Sequence, residues 1–331
     1  MRVCIVTPAA AGSRFGNRVT ALRWAGHLRA LGHRVQLTES WDGQACDLLV
    51  ALHAAKSFPS VERFRRSRPG GALVVALTGT DLYQDLSRSP EARRSLELAD
   101  CLTVLQPLAL EALPAELHSK TRVVYQSARR ASPAPAPPGV FQVCLLAHLR
   151  EVKDPFLAAA AARRMPPRSQ LSIVHLGASH DAESEAHARR ETADNPRYVW
   201  RADRPRAEAL SVLAGSRLLL ITSRLEGGAN VVSEALASDV PVLSTRIDGS
   251  VGILGPGYPG YFPVGDAAAL ADLLLRAEEE DGFLDGLRAA MAPARALVEP
   301  ARERGAWRDL LAELASRPGG AHLVAGAGPS R

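Results

Sequence analysis

The chain has 331 residues, more than one ordinary domain needs and enough for two. It contains no continuous apolar stretch of about 18 residues, so no membrane-spanning helix is expected, and its four cysteines make no close pair of the zinc- or disulfide-framework kind. The formal charge of +5, from 40 basic against 35 acidic residues, is explained by a small anionic substrate as well as by a polymer, and aromatics at 5% leave few platforms on which bases could stack.

The elements follow in order. VCIV near the N-terminus reads as a first strand running into a Pro- and Gly-containing turn rather than as a secretory leader. VTALRWAGHLRALG is an amphipathic helix ending at Gly32. Strands are predicted at HRVQLT, CDLLVALHA, ALVVALTG, CLTVL and TRVVYQ, with helices at VERFRR and PEARRSLELA between them. Short apolar strands alternating with helices imply a mostly parallel sheet covered on both faces. ARRASPAPAPPG, residues 128–139, holds four prolines and reads as a stiff, extended linker. The pattern then restarts. Strands fall at VFQVCLLAHL, QLSIVHLG, RYVW, RLLLITS and PVLST, and helices at DPFLAAAAARRM, EAHARRETA, RPRAEALSVLAG and VVSEALAS, with mainly helix from Asp266 to about Leu314. The expected organisation is an N-terminal Rossmann-like domain over 1–127, the linker 128–139, a C-terminal Rossmann-like domain over 140–316 and a flexible tail over 317–331. Cysteines 4, 101 and 144 sit in or beside strands and are read as buried thiols. Arg63, Arg65, Arg66 and Arg68 are read as a solvated basic face.

Open parallel sheets bind ligands beyond the carboxyl ends of their strands, so two such domains imply a cleft suited to group transfer. Four segments carry candidate chemistry. In SRLEGGANVVSEALAS, Glu226 is placed at a strand end and Glu234 in the next helix. Gly227 and Gly228 allow close backbone approach, and the helix starting near Asn230, with Ser233 in its first turn, presents free amides to an anion. The alternative is an ordinary βα turn with solvated glutamates. In AHLREVKDP, Arg150 and Lys153 are cations where a pyrophosphate would lie, or else part of a solvated loop. In PAAAGSRFGNRV, Gly12 and Gly16 loosen a loop in which Ser13, Arg14, Asn17 and Arg18 could cradle an anion beside a helix start, without a Walker ending. In VALTGTDLY, Thr80 and Asp81 close a buried strand. His53, after VAL, ends another and either contacts substrate or is a hydrogen-bonded structural residue.

Two glutamates with seven residues between them, after a strand and Gly-rich turn, resemble the signature of retaining glycosyltransferases of the two-domain GT-B type, family 4. The resemblance implies that Glu226 lies near the donor sugar and Glu234 on the nucleotide ribose. It also implies that Lys153 stabilises the leaving diphosphate with Arg150, or with His148, which falls where the family usually has an arginine. The family's Gly-Phe-Gly is here Gly227, Gly228, Ala229. The opening TPAAAGSRFGNRVTALRWAGHLRALGH, with LHAAKS, ALTGTDLY and HLREVKDP, is similar to the bacterial selenosugar synthases of selenoneine biosynthesis. That similarity implies transfer of an N-acetylhexosamine, GlcNAc being the expected one, from a UDP-sugar to selenophosphate, with release of UDP and phosphate. It implies partner enzymes that make selenophosphate and consume the selenosugar, no metal or other cofactor, and no nucleic-acid or membrane partner. Cytoplasmic location is the default expectation. The competing expectation is a conventional UDP-sugar-dependent glycosyltransferase acting on a hydroxyl, since one fold hosts both.

Overall fold

A computed structural model describes residues 1–317. From residue 318 on, the expected tail lies outside the described residues. By its own contacts the chain divides into two units. The first takes Met1–Ser127, Gly227–Asn230 and the chain from Pro300; the second takes Ala128–Glu226 and Val231–Glu299.

The first unit is built from β1 (Arg2–Val6), α1 (Gly16–Ala30), β2 (Arg34–Thr38), β3 (Leu48–Leu52), α2 (Phe58–Ser67), β4 (Ala72–Ala76), α3 (Pro90–Leu98), β5 (Cys101–Val104) and β6 (Thr121–Val123). Its six strands are all parallel, in the order β2-β1-β3-β4-β5-β6. LLVAL and ALVVA are buried at every position, which is why these central strands read as unbroken apolar runs. Alternate residues feed opposite faces. Val3 and Ile5 join Trp24 and Leu28 of α1 on one side. Cys4 and Val6 join Val61 and Phe64 of α2 and Leu96 of α3 on the other. α1 ends as its sequence predicts. Gly32 adopts φ +85°, and the N–H groups of Gly32 and His33 donate to the carbonyls of Arg29 and Leu28, closing a Schellman motif.

The second unit contains β7 (Phe141–Leu146), α4 (Phe156–Arg163), β8 (Leu171–Leu176), α5 (Ala182–Asp194), β9 (Tyr198–Trp200), α6 (Arg206–Ala214), β10 (Leu218–Ile221), α7 (Asn230–Ser238), β11 (Val242–Thr245), α8 (Asp248–Leu254), β12 (Tyr261–Phe262), α9 (Ala267–Glu279) and α10 (Phe283–Arg295). Its sheet is also wholly parallel, in the order β12-β11-β10-β7-β8-β9. The Pro-rich stretch forms no helix or strand. It lies against the end of α6, where the Ala134 N–H donates to the Ser211 carbonyl at 2.8 Å and a Cβ on Gly215 would come within 1.9 Å of the Ala134 oxygen.

Three expectations need correction. The final helix, α11 (Pro300–Ser316), groups with the first unit rather than the second. Trp307, Leu310, Leu311 and Leu314 complete the core face formed by α1, and Trp307 meets Trp24 edge to face at 4.9 Å. Glu226 is not at a strand end, because β10 stops at Ile221 and four loop residues separate them. The arginines around α2 are more than a solvated face. Arg63 donates to the Trp41 carbonyl, Arg65 to the Leu98 carbonyl and Asp100, and Arg68 to the Cys46 carbonyl. All four cysteines are free and buried, and burial pushes the Cys101 thiol up to about 11. Among the described residues no helix is long and apolar enough to cross a membrane.

Candidate active site

In each sheet the strand order reverses direction at one point, and the loops leaving the carboxyl ends there are where such folds bind ligands. In the second unit the reversal lies between β7 and β10. The loop after β7 carries His148, Arg150 and Lys153; the loop after β10 carries Ser223 and Glu226. The topology therefore brings together segments about seventy residues apart. Thr222 Oγ1 donates to the Lys153 carbonyl at 2.8 Å, and the Arg224 N–H to the Val152 carbonyl at 2.8 Å. Asp154, in the left-handed region at φ +42°, pairs with Arg224 at 3.0 Å. These bonds fix a short 3₁₀ turn, Glu151–Lys153, from which Lys153 Nζ donates to Glu226 Oε1. Ser223 Oγ donates to the same oxygen at 2.7 Å, and Gly249 at the start of α8 is so close that a Cβ would lie 2.3 Å from the Glu226 carbonyl oxygen.

α7 begins at Asn230 and carries Ser233 and Glu234. Ser233 is buried and its Oγ has no hydrogen-bond partner, an arrangement that native cores avoid unless a ligand or water completes it. Glu234 is only 3% exposed and accepts from Arg206, the first residue of α6. His148 accepts at Nδ1 from the Ala178 N–H at 3.0 Å and meets the His180 ring at 5.5 Å; Arg150 is exposed. Beneath this loop lies His175, fully buried, with its two ring nitrogens against the Ala147 carbonyl at 2.7 Å and the Tyr198 hydroxyl at 2.5 Å. A ring N–H must face the carbonyl, so the other nitrogen accepts from the tyrosine. Burial lowers its pKa to about 4.

In the first unit the reversal lies between β1 and β3. The loop after β1 turns at Gly12, φ +81°, and is tied by the Ala11 N–H to Glu39 at 2.8 Å. Ser13 Oγ and Arg18 Nε are buried polar atoms without a hydrogen-bond partner, Arg14 is exposed, and Gly16 and Asn17 open α1. The loop after β3 holds His53 in a left-handed conformation, φ 73°. Its Nε2 lies 3.2 Å from Thr80 Oγ1 and its Nδ1 accepts from the Lys56 N–H at 3.4 Å, and burial lowers its pKa. His53 is thus buried and hydrogen-bonded on both ring nitrogens.

Asp81 is fully buried. Its carboxylate accepts from the backbone N–H groups of Ala54, Thr78 and Gly79 at 3.0, 2.9 and 2.8 Å, so it shapes no wall of a binding site. Gly227 and Gly228 also have a different use from the one their type suggests. A Cβ on Gly227 would stand 2.5 Å from the Thr78 oxygen, and one on Gly228 2.7 Å from Leu105 Cβ, so their small size serves packing within the first unit. Asn230 is likewise engaged by protein, accepting from Arg23 at 2.7 Å. Arg206 and Ser223 were not singled out from sequence. Ser223 lies three residues from Glu226 and could have been inspected with it; Arg206 lies 28 residues from Glu234, and only the sheet order joins them. Among the described residues, no group of three or more His, Cys, Asp or Glu side chains is placed to hold a metal ion.

Comparison with known proteins agrees with this architecture. Anabaena HepE, solved in complex with UDP and glucose, superposes with a TM-score of 0.74 at 15% identity, over 95% of this chain and 100% of that one. Sucrose-phosphate synthase from Thermosynechococcus elongatus gives 0.72 at 16%, over 95% and 98%. The Escherichia coli trehalose-6-phosphate protein bound with UDP-2-fluoro glucose gives 0.70 at 13%, over 94% and 99%. At these identities the likeness establishes the fold, which is GT-B. Residues 128–295, just over half the chain, match the family described as glycosyl transferases group 1, and the chain belongs to that family.

Proposed function

We propose that this glycosyltransferase draws its sugar from a UDP-sugar and transfers it, as an N-acetylhexosamine, to selenophosphate. The observation that carries the donor half is the meeting of Lys153 and Glu226 at the reversal point of the second sheet, beside an α7 whose Ser233 hydroxyl is buried and unmatched. In this reading Glu234 accepts from the nucleotide ribose, and the α7 amides and Ser233 meet the diphosphate. Lys153, with Arg150 or His148, balances the charge that develops as UDP leaves. HepE and the Escherichia coli protein, solved with UDP and UDP-2-fluoro glucose, support a uridine nucleotide.

The acceptor half rests on the first unit. Arg14, with the unmatched Ser13 Oγ and Arg18 Nε, offers donors and positive charge to a small anion. A trianionic acceptor approaching an anionic donor is repelled unless local cations offset the charge. Selenophosphate supplies the electron pair from selenium, so the C1–Se bond forms as the C1–O bond to UDP breaks, and no base is needed to remove a proton. Water then takes the phosphate from selenium, giving a 1-seleno sugar. Such an enzyme works in the cytoplasm between one that makes selenophosphate and one that consumes the selenosugar.

The test is mass spectrometry of reactions containing UDP-GlcNAc, UDP-GalNAc or UDP-glucose with selenophosphate, thiophosphate, phosphate or a neutral alcohol. A selenosugar with stoichiometric UDP is expected. Transfer to the alcohol with none to selenophosphate overturns the acceptor and leaves a conventional hydroxyl-directed transferase. Arg14→Ala is expected to raise KM for selenophosphate far more than KM for the UDP-sugar.

A further inference from the structure

Arg206 stands where a cation is least welcome. It opens α6, whose first turn carries the positive end of the helix dipole, and the preceding Pro205 supplies no side-chain cap. Instead of turning to solvent, its guanidinium crosses to α7 and donates through Nη2 to Glu234 Oε1. The two ends of the pair differ sharply. The glutamate side chain is 4% exposed and the arginine side chain 45%. A carboxylate so nearly removed from water needs a partner, and Arg206 provides it from the open side. An arginine has five N–H donors arranged in a planar fork, and one is used here. The others remain at the same rim, next to the carboxylate that would receive the ribose.

We propose that Arg206 is a positioning residue for the nucleotide. It holds Glu234 in the rotamer that accepts from the ribose diol, and its remaining donors lie beside the same hydroxyls, so that Arg206 and Glu234 recognise a ribonucleoside diphosphate together. This rests on the reading of Glu234 as the ribose ligand. The pair gives a preference for a vicinal diol, which both accepts from a guanidinium and donates to a carboxylate, over a sugar that lacks it.

Calorimetry with UDP and with 2′,3′-dideoxy-UDP, on the full chain, tests this. The wild-type protein should bind UDP at least about tenfold more tightly than the dideoxy analogue, the size of one charge-assisted hydrogen bond. Arg206→Ala should weaken UDP by roughly tenfold and leave the dideoxy analogue nearly unchanged, so that the contrast collapses, while kcat at saturating donor is kept. Arg206→Lys retains the charge and should restore part of the contrast. If Arg206→Ala fails to fold, Arg206→Lys and Arg206→Gln carry the same comparison. A contrast that survives in the Arg206 variants but is lost in Glu234→Gln overturns the role of Arg206 and leaves the ribose assignment standing. A contrast that survives in both overturns the assignment and the inference with it.

Discussion

Lys153 and Glu226 form an ion pair across the reversal point of the second sheet, and each is partly screened from solvent. The lysine is thus delivered to the rim by a turn that Thr222 and Arg224 hold, and is engaged there by the Glu226 carboxylate. Lys153→Ala should lower kcat/KM by roughly 10²–10³, the loss expected for one electrostatic contact in the transition state. Lys153→Arg keeps the charge but not the shape and should recover only part. Steady-state kinetics with a UDP-sugar check this, and near-normal turnover in Lys153→Ala would remove the assignment.

His175 links pH to the stability of the second unit. Its folded pKa, about 4, lies below the ordinary value of 6.5, so between these limits the unfolded chain binds more protons than the folded one. Stability from this site is complete above about pH 6.5 and falls as the pH drops through that window, by about 3 kcal/mol in all. Unfolding midpoints measured from pH 7 to pH 4 should decline. His175→Gln should be less stable at pH 7 and lose most of that slope. An unchanged slope would place the titration elsewhere.

Glu303 gathers donors from four residues. Its carboxylate accepts from Arg23, Trp24 Nε1 at 2.7 Å, His27 Nε2 at 3.1 Å and both the backbone and hydroxyl of Ser127. Burial alone pushes this carboxyl up; Arg23, His27 and Ser127 outweigh it and hold the group below the usual range. Its stabilisation is therefore present above the ordinary carboxylate pKa and lost as the pH falls through the lower folded value. Glu303→Gln breaks a buried carboxylate's pair with the partly buried Arg23 and should cost about 3–5 kcal/mol, read by urea unfolding. A cost below about 1 kcal/mol would mean that the bond from Arg23 to Asn230 and solvent suffice for the arginine.

Asp81 should behave as a structural residue. Replacing it with Asn puts an NH₂ donor against a backbone N–H and should cost about 1–3 kcal/mol in stability. Among molecules that remain folded, KM for donor and acceptor should change little. A selective rise in acceptor KM, with an unaltered melting temperature, would return Asp81 to the binding surface.

The alternation of strand and helix was legible because buried parallel strands such as LLVAL and ALVVA carry no polar face to confuse the period. Short or glycine-bearing elements were not: α8, DGSVGIL, and the two-residue β12 have too little pattern to stand out from a loop. The pairing of the segments bearing Lys153 and Glu226 could be anticipated from strand topology. The fates of Asp81 and Asn230 could not, because a polar residue after a strand looks the same in sequence whether it faces a ligand or satisfies backbone amides. An amphipathic helix likewise announces that it covers a sheet but not which one, and so α11 was placed with the wrong neighbour.

That placement of α11 bears on how the chain comes off the ribosome. Strands β1 to β6 are complete by Val123, yet the face of their sheet containing Val3, Ile5 and Trp24 lacks Trp307 and Leu310 until the C-terminal segment is translated. At about 5–20 residues per second that interval lasts roughly ten seconds or more. Throughout it Arg23 and His27 have no Glu303 to meet, and an apolar surface stays open beside the growing chain. The first unit therefore cannot close until α11 has been made, and the strands made first are among the last to become native. A nascent chain stalled just before residue 300 should bind chaperones and be cut by protease within residues 1–127, whereas one extended past residue 317 by a linker long enough to clear the exit tunnel should resist both.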